Sequence, residues 1–167
     1  GGGLALSALT GPNGFQLSGA AAGDHAGWSV SSVGDMNGDG FADVVVGAHF
    51  ADVGASNSGA AYVVFGKPSG FADLDLRSLG AAGFRVFTGG SGFQTGESVS
   101  DAGDVNGDGF DDLFVSSRGF SSSEGAGFVV YGKAAGLTGD IDLTAMPLST
   151  GFRIVGSTPA TGLRCVS

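Results

Sequence analysis

The sequence has little of what stabilises or anchors many other proteins. Its single cysteine, Cys165, excludes an internal disulfide, and it has no run of 18 apolar residues that could form a membrane-spanning helix. Only four prolines occur, and glycine does not stand at every third position, which excludes collagen. The two lysines and five arginines are scattered, so no basic patch for nucleic acid exists. We therefore expect neither nucleic-acid binding nor membrane insertion.

Glycine and aspartate are abundant instead. The 167 residues include 34 glycines, and 42% are hydrophobic, which is enough for a core and argues against disorder. Sixteen acidic residues against seven basic ones give a formal charge of −9. Fourteen of the sixteen acids are aspartate, a residue suited to turns and to binding hard cations.

The chain repeats itself with a period of about 69 residues. Residues 27–43 and 96–112 match at an offset of 69, and 59–67 match 125–133 at an offset of 66. The repeat places unit boundaries at 14–82 and 83–150, with the start of a third unit at 151–167.

Each unit is rich in β-forming residues and shows no sustained helical period. Short apolar runs alternate with Gly, Ser, Asn and Asp, which predicts four strands per unit. Residues 71–79 are predicted to form a connector turn. In the first unit the predicted strands lie at 27–33, 43–48, 60–66 and 84–88. Four strands per repeat are typical of a β-propeller blade, so we predict an all-β fold of four-stranded antiparallel sheets with about two complete blades.

The loop DMNGDGFAD at 35–43 and its twin DVNGDGFDD at 104–112 carry the clearest chemical signal. Side-chain oxygens stand at positions 1, 3, 5 and 9, a glycine at position 6 permits a sharp turn, and position 7 offers its carbonyl. This oxygen-only set is typical of a calcium site, whereas zinc and copper prefer sulfur and histidine ligands. We predict two Ca²⁺ sites. The first uses Asp35, Asn37, Asp39, the Phe41 carbonyl and Asp43, and the second uses Asp104, Asn106, Asp108, the Phe110 carbonyl and Asp112.

Two other loop types share part of this pattern. An EF-hand needs Glu at position 12, where this chain has Val46 and Val115. Asx-type hairpin turns without a metal remain open, although two copies at equivalent repeat positions disfavour them. Asp111, at position 8 of the second loop, is expected to be solvated.

The run GWSVSSVGDMNGDGFADVVVGA (27–48), with GAAYVVFGK (59–67), resembles the FG-GAP repeat of integrin α-chain β-propellers and their bacterial relatives. The chain departs from the motif where Ala26-Gly27 and Thr95-Gly96 replace Phe-Gly. It also departs where Gly47-Ala48-His49 and Ser116-Ser117-Arg118 stand for Gly-Ala-Pro, so the second unit is the weaker match outside its acidic loop. The resemblance implies a seven-bladed ring, of which residues 1–167 form a partial propeller that packs against further blades of a parent chain. Residues 14–19 would then be an outer strand, and 162–167 the start of an inner strand.

The resemblance and the loops together predict a calcium-binding segment of a secreted or cell-surface protein that serves adhesion or protein binding through an extracellular protein or glycan ligand. A glycan-binding propeller and the non-catalytic scaffold of a secreted hydrolase are the alternatives. No catalytic site is expected, because the sequence offers no nucleophile, base or catalytic metal site in a recognisable arrangement. The segment at 27–31 lacks the last glycine of a nucleophile elbow and recurs at 96–100, so it is interpreted as a strand. His25 and His49 are interpreted as loop histidines without a partner. Trp28, Phe15, Phe84 and Phe152 are interpreted as wedges between blades, and Cys165 as a small buried hydrophobe.

Overall fold

The computed structural model describes residue 9, residues 13–134 and residues 137–156. Within these residues the regular secondary structure is almost entirely β-strand, joined by turns and loops, with one turn of α-helix, α1 (Phe120–Ser123), and one turn of 3-10 helix (Gly80–Ala82). No helix in this part of the chain is long and apolar enough to cross a membrane. The strands are β1 (Leu17–Ser18), β2 (Ser29–Ser32), β3 (Val44–Ala48), β4 (Ala60–Val64), β5 (Leu74–Asp75), β6 (Gly83–Phe87), β7 (Thr95–Gly103), β8 (Asp112–Ser117), β9 (Ala126–Val130), β10 (Gly139–Asp142) and β11 (Gly151–Val155).

Each blade forms one antiparallel meander that runs past the unit boundary expected from the repeat, because its fourth strand begins at Gly83 (β6) or at Gly151 (β11). The first sheet contains β2, β3, β4 and β6 in chain order, and the second contains β7, β8, β9 and β11. Neighbouring strands pair antiparallel throughout, for example Val44 with Val64 and Leu113 with Val130. The prediction of an all-β fold with four-stranded blades is confirmed, and the four strands predicted in the first unit lie within two residues of the observed ones.

The connectors differ from the prediction. Residues 71–79 contain a short strand, β5, which pairs in parallel with β1. The equivalent connector of the second unit forms β10, which pairs in parallel with β6 and makes the first sheet five-stranded. The prediction of a plain turn was wrong because the outer strand of each unit leaves backbone donors and acceptors that a neighbouring extended segment can satisfy.

The main core lies between the two sheets. Val45 and Val63 of the first sheet and Val115 and Phe128 of the second are buried in one cluster. The opposite face of the first sheet buries Val46, in a second cluster that β1 and β5 partly cover. Central strands are therefore buried on both faces, which explains why their sequences are continuous apolar runs rather than alternating ones.

Small residues allow the sheets to approach closely. The Ser29 hydroxyl donates to the Gly96 carbonyl, 2.9 Å away, so β2 is tied to the start of β7. A Cβ at Gly47 would lie 2.1 Å from that same carbonyl oxygen. The absence of a side chain at Gly47 therefore permits the close approach of the first and second sheets at this point.

The predicted wedge residues have different surroundings. Phe84 is buried in the inter-sheet core, Phe15 stacks on Phe71 with ring centroids 4.5 Å apart, and Phe152 is half-buried. Trp28 does not lie between the two described sheets and is 61% exposed. The predictions for Cys165 and for a strand at 162–167 lie outside the described residues.

Candidate metal centre

The two acidic loops occupy equivalent places at the same end of the stacked sheets. The loop at 35–43 connects β2 to β3, and the loop at 104–112 connects β7 to β8. Each connects the first strand of its meander to the second, as the resemblance implies.

A chain of Asx turns shapes the first loop. One oxygen of Asp35, Oδ1, accepts hydrogen bonds from the backbone N–H groups of Gly38 (2.8 Å) and Asp39 (3.0 Å). Its other oxygen, Oδ2, accepts from Gly40 N at 2.8 Å. Asn37 Oδ1 accepts from Asp39 N (3.0 Å), and Asp39 Oδ1 accepts from Phe41 N (2.9 Å). The backbone thereby wraps around the side chains at positions 1, 3 and 5, so these three groups are brought together.

The second loop repeats this network bond for bond. Asp104 accepts from Gly107, Asp108 and Gly109 N–H at 2.7, 3.0 and 2.9 Å. Asn106 accepts from Asp108 N at 2.9 Å, and Asp108 accepts from Phe110 N at 3.0 Å. The backbone N–H bonds, above all the one from Gly109, hold the pKa of Asp104 below its usual value.

Glycine is required at position 6 of both loops. Gly40 has φ of +87° and Gly109 has φ of +92°, a conformation that L-residues with a side chain rarely adopt. Their N–H groups point back at the carboxylates of Asp35 and Asp104. The sharp turn predicted at this position is confirmed.

The position 9 aspartates lie deeper than the other candidate ligands. Asp43 accepts from Met36 N (3.1 Å) and Gly66 N (2.8 Å), and its side chain is buried. Asp112 is buried too, and accepts from Val105 N and Gly132 N, both at 2.9 Å. Burial, together with the charges of Asp39 and Asp35, raises the pKa of Asp43 to about 6 despite these hydrogen bonds.

The donor set fits a hard divalent cation. Every candidate side chain offers oxygen, each carboxylate oxygen that accepts one hydrogen bond keeps a further lone pair, and the buried Asp43 carboxylate has no cationic neighbour among the groups that set its pKa. Among the described residues, however, no three carboxylate, imidazole or thiol groups stand close enough to form a ready-made metal cluster. The Asn37 amide instead donates to Asp39 Oδ2 at 2.9 Å, and Asn106 to Asp108 Oδ2 at 2.8 Å. The acids of each loop repel one another, and a bound cation would neutralise that repulsion.

Asp111 is not the solvated acid that the sequence predicts. Its side chain is half-buried and reaches the first loop, where Oδ2 accepts from Asp35 N at 2.8 Å. A backbone hydrogen bond joins the same two residues, since Asp111 N donates to the Asp35 carbonyl oxygen at 3.4 Å. The two loops are therefore in direct contact, with Asp111 of the second loop touching the backbone of the position 1 ligand of the first.

The glycines of the FGK and YGK segments also belong to the site. Gly66 and Gly132 donate to the position 9 aspartates, and neither has room for a side chain, because a Cβ would lie 2.4 Å from Ala42 O and 2.3 Å from Asp111 O. Their recurrence in both units was a visible signal, but nothing in the sequence connected them to aspartates that lie 23 and 20 residues earlier in the chain.

An aromatic and histidine cluster lies at the opposite end of the first sheet. The ring centroid of His49 lies 4.6 Å from that of Trp28, 5.5 Å from that of His25 and 4.1 Å from that of Phe50. Both histidines lie in loops, as interpreted, and the turns at 24–28 and 49–50 bring their rings together. His49 is buried, its Nδ1 has no hydrogen-bond partner among the described residues, and burial lowers its pKa.

The family model for the FG-GAP repeat matches the chain in two stretches, residues 26–64 and 98–131. Each stretch contains one acidic loop and the strands on either side of it. The family resemblance is therefore confirmed for both repeat units, including the second, which departs more from the motif.

Integrin α chains are among the similar proteins. The chain is 33% identical to integrin alpha-PS5 of Drosophila melanogaster over 106 residues, which is 59% of this chain. It is 29% identical to integrin alpha-4 of Xenopus laevis over 129 residues (74%) and 37% identical to integrin alpha-E of Mus musculus over 99 residues (55%). The aligned regions cover only 9%, 11% and 8% of those three proteins.

Proposed function

The chain carries two FG-GAP repeats of the integrin α type, and we propose that each of its blades binds one structural Ca²⁺ in the loop between its first two strands. The observation that supports this most strongly is the identical hydrogen-bond network of the loops at 35–43 and 104–112. Two copies of a turn with the same oxygen-rich side chains and the same backbone wrapping indicate a common task. A cation is the ligand that such a set of acids favours.

The role we propose for the ion is electrostatic and structural. The position 9 carboxylates are buried, and each is close enough to two further acids for their charges to raise its pKa. A divalent cation would supply the neutralising charge at this point, and the loop residues would hold it. Since the proposed ion would occupy all of these side chains, none of them would be free to act in catalysis. We therefore infer a binding module rather than an enzyme.

We propose that the parent protein is extracellular and serves adhesion or ligand binding. The similarity to integrin α chains supports this assignment. Extracellular modules bind calcium with dissociation constants as weak as roughly 0.1–1 mM, so a modest site would still be occupied there. We propose two kinds of partner: further blades of the parent chain, and an extracellular protein that the assembled propeller would bind.

Calorimetric titration of the 167-residue chain with CaCl₂ tests the proposal. We expect two equivalents of Ca²⁺ to bind, one equivalent in Asp39→Ala or Asp108→Ala, and none in the double variant. Asp52→Ala is the matched control, because Asp52 also accepts a backbone N–H bond, from Asn57 at 2.7 Å, but lies in the loop that follows β3, at the other end of the sheet. Absence of binding in the unmodified chain would contradict the proposal.

A glycan is the second ligand class that we consider, and one observation favours it. Trp28 is 61% exposed and stands beside the rings of His25 and His49, an arrangement on which a sugar ring could stack. A glycan array probed with the chain and with Trp28→Ala tests this. Binding that Trp28→Ala abolishes would support the glycan assignment, and equal signals from both chains would contradict it.

A further inference from the structure

The outer strands β1 and β6 are each extended by a short parallel strand. β1 and β6 each pair in parallel with a segment from the connector of the blade that follows, β5 and β10 respectively. The registers are equivalent, since Leu17 lies opposite Leu74 and Val86 lies opposite Ile141. The same arrangement therefore occurs twice in one chain.

The two added strands also share a sequence, Asp-Leu-Asp-Leu at 73–76 and Asp-Ile-Asp-Leu at 140–143. The first aspartate of each contacts the outer strand: Asp73 Oδ1 accepts from Gln16 N at 2.8 Å, and Asp140 forms an ion pair with Arg85. The final leucines, Leu76 and Leu143, are buried. The segment is thus fixed by its backbone, by one acid and by one apolar anchor.

The final leucines are held by equivalent backbone bonds. Leu76 N donates to Ser18 O at 2.9 Å, and Leu143 N donates to Phe87 O at 2.8 Å. The second aspartate then ends each segment with a turn, because Asp75 accepts from Arg77 N (2.9 Å) and Asp142 from Thr144 N (2.8 Å). These bonds give the segment a defined length.

β11 is the outer strand of the second sheet and begins with the same three residues as β6. Gly151, Phe152 and Arg153 repeat Gly83, Phe84 and Arg85. Its outer edge, however, pairs with no strand among the residues that the structure describes.

The side chains of β11 reflect that difference. Ile154 is 45% exposed, whereas its counterpart Val86, beside Ile141 of β10 and facing the second sheet, is fully buried. Arg153 is exposed and lies over the Phe120 ring, and no acidic side chain in the described part of the chain pairs with it. An unpaired edge, an exposed isoleucine and an unpaired cation thus occur together on one strand.

We propose that the outer edge of β11 is a docking strand for the Asp-[Leu or Ile]-Asp-Leu segment of a further repeat unit, added in parallel as a fifth strand. Its first aspartate pairs with Arg153 and its leucine covers the apolar edge, as Asp140 and Leu143 do at β6. The segment at 4–9 of a second copy is a poorer match, because Gly3 stands where Asp73 and Asp140 stand.

The test uses a fluorescently labelled peptide with the sequence of residues 137–148, LTGDIDLTAMPL, titrated into the 167-residue chain. We expect saturable binding, with slower amide hydrogen exchange in residues 151–155. Ile154→Asp should abolish binding. Arg153→Gln should weaken it roughly threefold to fivefold, as the loss of a partly exposed ion pair does.

A double-mutant cycle separates the ion pair from a general effect of charge. A peptide with Asn in place of Asp140 should bind the unmodified chain less tightly than the original peptide does. The two peptides should bind the Arg153→Gln chain equally tightly. Arg118→Gln removes an exposed arginine elsewhere and should leave binding unchanged. Thermal unfolding of each variant verifies that it is folded.

Four outcomes would overturn the proposal. The first is that no peptide binds at about 1 mM, and the second is that slower hydrogen exchange appears at β1 or β6 rather than at β11. The third is that Arg118→Gln weakens peptide binding as much as Arg153→Gln does. The fourth is a concentration-dependent dimer in which residues 151–155 exchange slowly without any peptide. The last would assign the edge to a second copy of the chain. None of these results depends on calcium, so the proposed metal sites can fail without affecting this inference.

Discussion

At the scale of single residues, the absence of a side chain is as decisive as the presence of one. Gly66 and Gly132 donate to the buried carboxylates of Asp43 and Asp112, and main-chain oxygens lie where their Cβ atoms would be. A methyl group at either position would push the strand end away from the loop. The position 9 aspartate would then lose a backbone donor while remaining buried.

Gly66→Ala should therefore destabilise the fold by about 1–3 kcal/mol, the usual cost of overpacking, and Gly132→Ala should do the same. Urea unfolding followed by circular dichroism measures the change. Gly89→Ala is the matched control, because a Cβ there meets nothing within 4 Å. Equal stability of Gly66→Ala and Gly89→Ala would show that the close approach at Gly66 is not real.

His49 should make stability depend on pH. Burial lowers its pKa in the folded state, the charge of His25 lowers it further, and Glu97 acts in the opposite direction. Since the unfolded chain takes up a proton near pH 6.5 and the folded chain does so only at lower pH, the unfolded state gains stability as pH falls below about 6.5.

The prediction is that the melting temperature of the unmodified chain falls more steeply between pH 7 and pH 5 than that of His49→Gln. The difference between the two curves matters, because raised aspartate pKa values act on both chains alike. Parallel curves would contradict the account of a buried neutral His49.

At the scale of elements, the contact between the two loops is the feature with the clearest consequence. Asp111 accepts from the backbone N–H of Asp35, the position 1 candidate ligand of the other loop. Ala42 occupies the same position in the first loop and cannot make such a bond. The second loop therefore supports the first. Removal of the Asp111 side chain should make Asp35, a candidate ligand in the other loop, less firmly held.

Asp111→Ala should weaken Ca²⁺ binding by the first loop at least about threefold, because a hydrogen bond to a charged acceptor is lost. The measurement uses the Asp108→Ala background, in which only the first loop is expected to bind, with calorimetric titration as readout. Asp52→Ala in the same background serves as control. An unchanged affinity would mean that the contact has no influence on the site.

The elements that sequence reasoning could predict are those with local signals. The four strands of the first unit and the turns of both loops follow from apolar runs, glycines and Asx spacing within about ten residues. The strands β5 and β10 were not predicted, because each is two to four residues long and its partner lies more than 50 residues away. The contact of Asp111 with Asp35 was missed for the same reason: it crosses from one blade to the next.

At the scale of the whole molecule, the chain is a stack in which each blade completes its neighbour. The second sheet covers one face of the first, and β10 of the second unit extends the first sheet by one strand. Val99 is buried against the first sheet, whereas its repeat counterpart Val30 remains 59% exposed. Further blades would cover such faces, and the seven-bladed ring stays a prediction of the family resemblance.

The net charge is also a property of the whole molecule. The formal charge of −9 is distributed largely over aspartates, six of which are candidate ligands in the two loops. Two bound divalent cations would reduce the formal charge to −5. They would also stabilise the folded chain by about 2.7 kcal/mol per site when free Ca²⁺ is 100 times the dissociation constant.

Differential scanning calorimetry of the chain, in 1 mM Ca²⁺ and in excess chelator, tests the central claim most directly. The account predicts a melting temperature that rises by several degrees with Ca²⁺, since 1 kcal/mol corresponds to roughly 2–4 °C in a chain of this size, and no such rise in the Asp39→Ala, Asp108→Ala double variant. An unmodified chain that melts at the same temperature with Ca²⁺ and with chelator would contradict it.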